Sequence, residues 1–179
     1  REAFALADER QLAGISFTYT EGVCHIEYNT RLAAAAQAFG LRALLCTGGY
    51  VSSVPFRSML KHLDAVTVTI KGFSNRFYQR YVGAPSGKPV LRSCLEAKRA
   101  GCWLEVATLV CPTLNDSDRE LTAIARFIRR HLGRDTPWHI ERFTPKYKML
   151  NHPQTPTPTL ERARAIGLAE GLRYVYICN

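Results

Sequence analysis

The sequence predicts an α/β fold with one parallel sheet, either an open (β/α) partial barrel or a doubly wound sheet, and three observations support this prediction. Segments with the two-residue period of a β-strand alternate with segments of helical spacing, and this alternation implies a parallel sheet with right-handed crossovers. The 179 residues are too few for a closed eight-stranded barrel, which needs about 250. No Gly-x-Gly-x-x-Gly motif follows the first strand, which argues against a dinucleotide-binding sheet.

The first half of the chain contains three predicted strands and two predicted helices. Alternating apolar and polar residues, or a short apolar run, mark the strands at residues 15–20, 41–47 and 66–71. Helical patterns between these strands cover residues 23–39 and 52–63. Gly40 ends the first helix, since glycine is the usual residue just past a helix terminus.

The second half repeats the alternation and adds three more strands. Their patterns cover residues 103–110, 138–141 and 173–178. A helix is predicted over residues 89–100, because it has a proline at its start and Gly101 just after its end. Six strands in total are therefore expected in one parallel sheet.

Capping residues mark the last two helices. Ser117 and Glu120 have the spacing of a capping box in front of a core-facing apolar stripe. Thr157 is the predicted N-cap of the final helix, which Gly171 ends. The proline-rich residues 145–158 are interpreted as a loop within the domain.

The composition indicates one folded domain that spans residues 1–179. The chain is 46% hydrophobic and 22% charged, which suits a packed core and disfavours disorder. No apolar segment approaches the roughly 20 residues of a membrane span, and no signal peptide is visible. The six cysteines lack a metal-binding spacing, so we expect free thiols in a reducing cytoplasm. The chain begins at Arg1 without an initiator Met, so we expect residues upstream of it.

The charge balance favours an anionic partner. The net charge is +9, and the basic residues are spread along the chain. The densest cluster comprises Arg126, Arg129, Arg130 and Arg134. A solvated helix face explains this cluster better than nucleic-acid binding, although a basic α/β domain that binds an anionic polymer remains an alternative.

Polar residues follow four of the predicted strands at the point where ligands bind in parallel β/α folds. They are a carboxylate at Glu21, a glycine-rich turn at residues 47–49, Lys71 and His139. Each has an ordinary structural explanation by itself, but together they suit a zwitterionic ligand that carries a nucleoside. The carboxylate would bind an ammonium group, and the lysine would bind a carboxylate. We therefore expect Glu21, Lys71 and His139 to converge on one concave site.

The same residues lie in segments that resemble a known family. The segments are residues 14–21, 71–74, 109–117, 136–139 and 171–176. Together with the residues between them, they resemble the radical S-adenosylmethionine (SAM) enzymes of the pyruvate formate-lyase activating enzyme-like type. Within this type, they resemble the group named AmmeMemoRadiSam, after its association with Memo and AMMECR-type proteins. The resemblance implies that the chain is the C-terminal portion of the radical SAM partial barrel, without its first strand.

The resemblance also implies cofactor-binding roles for six residues. Glu21 matches the residue that receives the SAM ammonium group, and Lys71 matches one that contacts the SAM carboxylate. Thr47 and Gly48 fall near the ribose. Leu109 and His139 match positions beside the adenosine. No catalytic residue and no metal ligand of this chain follows from the match.

The implied activity is radical chemistry supported by two cofactors. In the family, a [4Fe–4S] cluster reduces SAM, and the resulting 5′-deoxyadenosyl radical abstracts a hydrogen atom. The cofactors carry the chemistry, and the protein positions them. The expected partners are SAM and a protein substrate, as in glycyl-radical-enzyme activases, and no nucleic acid or membrane.

The sequence departs from the family pattern around this site. The C-x-x-x-C-x-x-C loop that holds the cluster is absent. Residues usual in the family are replaced at four positions: Thr20 for Asn, Gly22 for Pro, Gly48 for Asn and Thr69 for Asp. We therefore expect that this chain alone binds SAM weakly and does not assemble the cluster, because such a cluster needs three thiolates held close together.

Two interpretations of the resemblance remain open. One is a radical SAM enzyme seen without its N-terminal segment. The other is a degenerate, cluster-free relative that binds SAM or a protein partner without radical chemistry.

Overall fold

The computed structural model describes residues 2–178, and in this part of the chain six strands form one sheet. The strands are β1 (Gly14–Phe17), β2 (Arg42–Thr47), β3 (Ala65–Thr69), β4 (Trp103–Val110), β5 (Trp138–Arg142) and β6 (Val175–Cys178). Their order in the sheet follows the chain, and every neighbouring pair is parallel. The predicted open parallel β/α sheet is therefore confirmed.

One helix precedes β1, and helices connect each strand to the next. They are α1 (Glu2–Glu9), α2 (Ile26–Ala38), α3 (Ser53–Leu60), α4 (Asn75–Phe77), α5 (Lys88–Arg99), α6 (Asp118–Phe127) and α7 (Thr157–Ala169). Two of them, α4 and α6, continue as π-helical turns over Tyr78–Val82 and Ile128–Leu132. In the described part of the chain, no helix has the length and apolar character needed to cross a membrane.

One face of the sheet forms the core beneath the helices. Residues paired in register across parallel strands point to the same side. A single row runs across five strands from Thr47 through Val68, Val106 and Trp138 to Val175. All five side chains are buried. The indole of Trp138 donates to the Thr108 hydroxyl at 2.9 Å, so this large buried side chain leaves no unpaired polar group.

The opposite face, called the open face, carries polar, small and partly exposed apolar side chains. Thr69, Ala107, His139 and Tyr176 lie in one register row across it. The period of two in the sequence predicts this separation, because alternate strand residues point to opposite faces. The open face is therefore the side on which a ligand can approach the strands.

The first predicted strand is shorter than its sequence pattern suggests. The alternation continues to Thr20, but β1 ends at Phe17. Tyr19 has a φ of +67°, which is a left-handed conformation that no strand accommodates. The turn brings Glu21 to the start of a 3-10 turn, Gly22–His25, that precedes α2. The predicted helix at residues 23–39 therefore begins later, at Ile26.

One predicted N-cap and one predicted capping box also differ from the structure. Pro156 is the N-cap of α7, whereas the sequence predicts Thr157 for that position. Ser117 caps α6 as predicted, and its hydroxyl accepts from the Glu120 amide at 3.3 Å. The carboxylate of Glu120, however, does not return to the Ser117 amide as a capping box requires. It binds the loop after β3 instead, at the amides of Phe73 and Ser74.

Candidate functional site

Glu21 is the centre of a hydrogen-bonded cluster at the C-terminal ends of β1 and β2. Its Oε1 accepts a hydrogen bond from the Thr47 hydroxyl at 2.6 Å and from the Val23 amide at 3.3 Å. Its Oε2 accepts from the Gly48 amide at 2.7 Å. These bonds hold the carboxylate in one orientation, and each oxygen can accept more than one bond.

The turn after β2 is held rigidly behind this carboxylate. The buried Thr47 hydroxyl accepts from the Gly49 amide at 2.9 Å while it donates to Glu21. Gly49 has a φ of +68°, and a Cβ there would lie 2.9 Å from a methyl carbon of Val68. Only glycine fits this position, because the backbone is left-handed and the side-chain space is filled. The carbonyl of Gly49 is fixed in turn by the Ser93 hydroxyl at 2.8 Å.

Lys71, which follows β3, approaches the same cluster. A Cβ on Gly48 would lie 3.1 Å from Glu21 Oε2 and 4.0 Å from Lys71 Cε. Glu21, Gly48 and Lys71 therefore meet around one point beyond three neighbouring strands. Within residues 2–178, the Lys71 ammonium makes no hydrogen bond or ion pair with a protein side chain. The site thus places the Glu21 carboxylate and the end of the Lys71 side chain on either side of Gly48.

A buried amide fixes the loop that carries Lys71. Asn115 Nδ2 donates to the carbonyl oxygens of Lys71 and Leu109, at 2.7 Å and 2.8 Å, and its Oδ1 accepts from the Cys111 amide at 2.6 Å. Asn115 is 1% exposed. Its single side chain joins the ends of β3 and β4, so the positions of Lys71 and Leu109 depend on each other.

Glu120 holds the next part of the same loop. Its Oε1 accepts from the backbone amides of Phe73 and Ser74, at 2.5 Å and 2.8 Å. The sequence analysis did not identify Asn115 and Glu120 as residues that position the candidate site. Asn115 lies in one of the segments that carries the family resemblance, and Glu120 was interpreted only as a capping residue. Neither sequence pattern indicates a partner more than 40 residues away.

His139 lies on the open face in a separate cluster. Its Nε2 is 2.7 Å from Glu105 Oε2, and its ring stacks on Tyr176 with centroids 5.5 Å apart. Its Nδ1 is 3.6 Å from Cys178 Sγ. Burial, together with the nearby Glu141 and Glu105 carboxylates, raises the pKa of the Cys178 thiol. No hydrogen bond or ion pair within residues 2–178 joins His139 to Glu21 or Lys71.

Leu109 is half-buried and stands level with Glu141 in the pairing of β4 and β5. It is two residues beyond Ala107, which is level with both Thr69 and His139. Leu109 therefore occupies the edge of the open face between the Lys71 loop and β5. The predicted site residues consequently form two groups, one around Glu21 and one around β4 and β5.

The described residues do not fit an iron–sulfur cluster. No three His, Cys, Asp or Glu side chains among residues 2–178 are grouped so that they could hold a metal ion. Cys24 and Cys46 are exposed, whereas Cys94, Cys102 and Cys111 are buried. Burial raises the pKa of Cys111 to about 11, and a nearby Asp116 carboxylate adds to the shift. A protonated, buried thiol is a poor metal ligand.

Comparisons with known proteins place this geometry in context. No family model matches the chain. A curated relative, an uncharacterized protein from Methanocaldococcus jannaschii named MJ0808, is 40% identical over 166 residues. The match covers 93% of this chain and 49% of the relative. The chain therefore spans about half the length of the curated relative that it matches.

Solved structures identify the fold. A domain of pyruvate-formate lyase-activating enzyme from Bacteroides vulgatus superposes with a TM-score of 0.76 at 13% identity, over 92% of this chain and 98% of that one. A radical SAM methyltransferase from Sphaerobacter thermophilus superposes with a TM-score of 0.70 at 18% identity. That match covers 98% of this chain and 54% of the methyltransferase chain. This is the radical SAM fold.

SuiB from Streptococcus suis has the same fold. Its structure bound to S-adenosylmethionine gives a TM-score of 0.74 at 9% identity, and the match covers 99% of this chain and 40% of SuiB. A second SuiB structure is bound to the precursor peptide SuiA. In this radical SAM fold, the Glu21 cluster lies at the C-terminal ends of the strands, which is where parallel β/α folds place their ligands.

Proposed function

We propose that this chain is the SAM-binding portion of a radical SAM enzyme that resembles the glycyl-radical-enzyme activases. The observation that carries the proposal is the Glu21 cluster, a fixed carboxylate and a free ammonium group at three adjacent strand ends of a radical SAM fold. SuiB, which has the same fold, was solved with SAM bound, and this supports SAM as the ligand.

The charges of the cluster match the amino-acid end of SAM. Glu21 Oε2 accepts only the Gly48 amide among the described donors, so it keeps capacity for a ligand ammonium group. Lys71 provides the opposite charge for the ligand carboxylate. A charge-assisted hydrogen bond on each side would orient the zwitterion better than either charge alone.

The remaining proposed contacts divide between backbone and side chains. Gly48, which has no Cβ, would let the backbone approach the ribose. Thr47 acts through Glu21, because its buried hydroxyl is already used for two protein hydrogen bonds. Leu109 and His139 would border the adenine from β4 and β5.

The proposed activity requires a [4Fe–4S] cluster, which supplies the electron for SAM cleavage when it is bound. The residues described here do not fit that cluster. The curated relative is about twice as long as the matched stretch, so we propose that a longer polypeptide carries the cluster ligands. This chain would then bind and orient SAM, with a protein or peptide as the substrate and the cytoplasm as the location.

Equilibrium binding of SAM tests the cofactor role directly. We expect the chain to bind SAM weakly, with a dissociation constant above about 10 μM, because the chelating iron is absent. Glu21→Gln and Lys71→Ala should each weaken binding by about tenfold, since each removes one charge-assisted hydrogen bond. Isothermal titration calorimetry measures both effects, and the exposed Glu27→Gln and Lys61→Ala variants are matched controls.

Two results would contradict this assignment. Sub-micromolar binding would mean that the chain needs no cluster to hold SAM. Equal loss of affinity in the control and site variants would mean that SAM binds elsewhere on the protein.

A second candidate function is a cluster-free relative that binds SAM or a protein without radical chemistry. The changes at Thr20, Gly22, Gly48 and Thr69 favour it, since they surround the site. Anaerobic iron–sulfide reconstitution of a longer natural polypeptide distinguishes the two candidates. About four irons per chain, with an electron paramagnetic resonance signal that changes on SAM addition, would support the radical enzyme. A longer polypeptide that holds no cluster would support the second candidate, the cluster-free protein without radical chemistry.

A further inference from the structure

A groove along the outer face of α6 is separate from the Glu21 cluster. Its volume is about 520 Å³, and it runs beside the loop that contains Phe73. The middle of the groove is lined by small helix residues, Thr122 and Ala123. Longer side chains, including those of Arg119 and Arg130, line it as well.

The groove has an apolar wall. Phe73 and Phe127 pack with their ring centroids 6.3 Å apart, and Phe127 in turn lies 5.3 Å from His131. Phe73 is held in place by the bond from its amide to Glu120. The half-buried Phe73 is therefore the part of this wall that an apolar ligand side chain can contact.

The ends of the groove are basic. Arg119 and Arg130 line it, and neither makes a hydrogen bond or ion pair with another residue in the described part of the chain. Arg126 lies between them and pairs with Glu170 at 3.0 Å. Asp118 is the one acidic residue that lines the groove among residues 2–178, and it is paired with Arg162. The groove therefore carries a net positive charge that the protein does not neutralise.

We propose that this groove binds an acidic peptide segment of a partner protein. Arg119 and Arg130 are 11 positions apart, which is about 16 Å along a helix at 1.5 Å per residue. An extended peptide covers that distance with about five residues. The ligand is therefore a short segment with acidic residues at both ends and an apolar residue that contacts Phe73.

A peptide fits this site better than a nucleic acid does. Of the two phenylalanines in its wall, Phe127 is only 8% exposed and Phe73 is half-buried, so the groove offers little aromatic surface. Single-stranded nucleic acids instead need exposed aromatic faces on which bases stack. The basic track is also short, because Glu170 and Asp118 border it, whereas a nucleic acid needs a continuous basic surface.

Fluorescence anisotropy with the intact 179-residue chain tests the proposal. The probe is a labelled hexapeptide with two glutamates at each end and a leucine–phenylalanine pair in the middle. The comparison peptide has glutamines in place of the glutamates. We expect the acidic peptide to bind at least about tenfold more tightly, with an affinity that falls as salt is added.

Three variants separate the groove from general charge. Arg119→Glu with Arg130→Glu should weaken binding by at least about tenfold. Ala123→Leu should also weaken it, since it fills the groove and leaves the charge unchanged. Arg31→Glu with Lys61→Glu makes the same charge change on exposed residues elsewhere and should have little effect. Circular dichroism confirms that each variant is folded.

The proposal is independent of SAM binding, so it succeeds or fails separately from the proposed function. Equal binding of the two peptides would overturn it. Equal loss of affinity in the charge-matched control would also overturn it, because the attraction would then be non-specific. Tighter binding of a short single-stranded RNA, with the same sensitivity to Arg119 and Arg130, would assign the groove to nucleic acid instead.

Discussion

Thr47 combines two hydrogen-bonding roles in one buried side chain. Its hydroxyl donates to Glu21 and accepts from the Gly49 amide. The side chain is only 5% exposed, so water cannot replace either partner. The orientation of the Glu21 carboxylate therefore depends on a residue that a ligand does not need to touch.

Replacing this hydroxyl should cost stability. Thr47→Val keeps the shape of the side chain but leaves the buried Gly49 amide without an acceptor, so we expect a loss of about 1–3 kcal/mol. Thr47→Ser keeps the hydroxyl and should retain most of the stability. Urea denaturation measures both. A Val variant as stable as the wild type would show that the Thr47 bonds contribute nothing to the turn.

At the scale of elements, the segment from β4 into α6 positions the loop after β3. Asn115 binds the Lys71 carbonyl, and Glu120 binds the two amides that follow Gly72. Both groups lie outside the loop itself. The loop that carries the proposed carboxylate-binding lysine is therefore held by the next β/α unit along the sheet.

Removal of the Asn115 side chain should loosen this connection. Asn115→Ala leaves the Cys111 amide and two carbonyl oxygens without their partner, and we expect a loss of about 3 kcal/mol in the free energy of unfolding. Hydrogen exchange should rise at the Cys111 amide.

The exposed Asn151→Ala is a matched control and should stay close to wild type. Unchanged hydrogen exchange at Cys111 in the Asn115 variant would contradict the proposed role of Asn115 in joining the ends of β3 and β4.

The molecule as a whole combines a net charge of +9 with a core that contains ionisable groups. Burial raises the pKa of Cys94 from its ordinary value near 9 to about 12. The folded protein therefore keeps this thiol neutral at a pH at which the unfolded chain releases the proton. A raised pKa in the folded state makes a contribution to stability that is present below pH 9 and is lost as pH rises towards 12.

We therefore expect the free energy of unfolding to fall as the pH rises above 9. The contribution of Cys94 is up to about 1.4 kcal/mol per pH unit. Urea denaturation between pH 8 and 11 measures the slope, and Cys94→Ala should reduce it even if that variant is less stable throughout. Exposed Cys24→Ala is the control. An identical slope in wild type and Cys94→Ala would show that this thiol is not responsible.

The sequence alone determined the fold class and the phase of the strands. Alternating apolar residues such as Val66 and Val68 must face the core, so the pattern itself predicts which residues face the helices and which face the open side. Helix ends such as that at Gly40 are also local, since they depend on backbone conformation. The prediction that Glu21 and Lys71 each follow the end of a strand rests on the same local information.

Only the tertiary structure decided which groups meet. The spacing of Ser117 and Glu120 predicts a capping box, but the Glu120 carboxylate binds Phe73 and Ser74, because those amides lie within reach in the fold. The alternation through Tyr19 predicts a longer strand, but the turn to Glu21 requires a left-handed residue there. A carboxylate or an amide selects its partners by distance and direction in space, and the sequence pattern encodes neither.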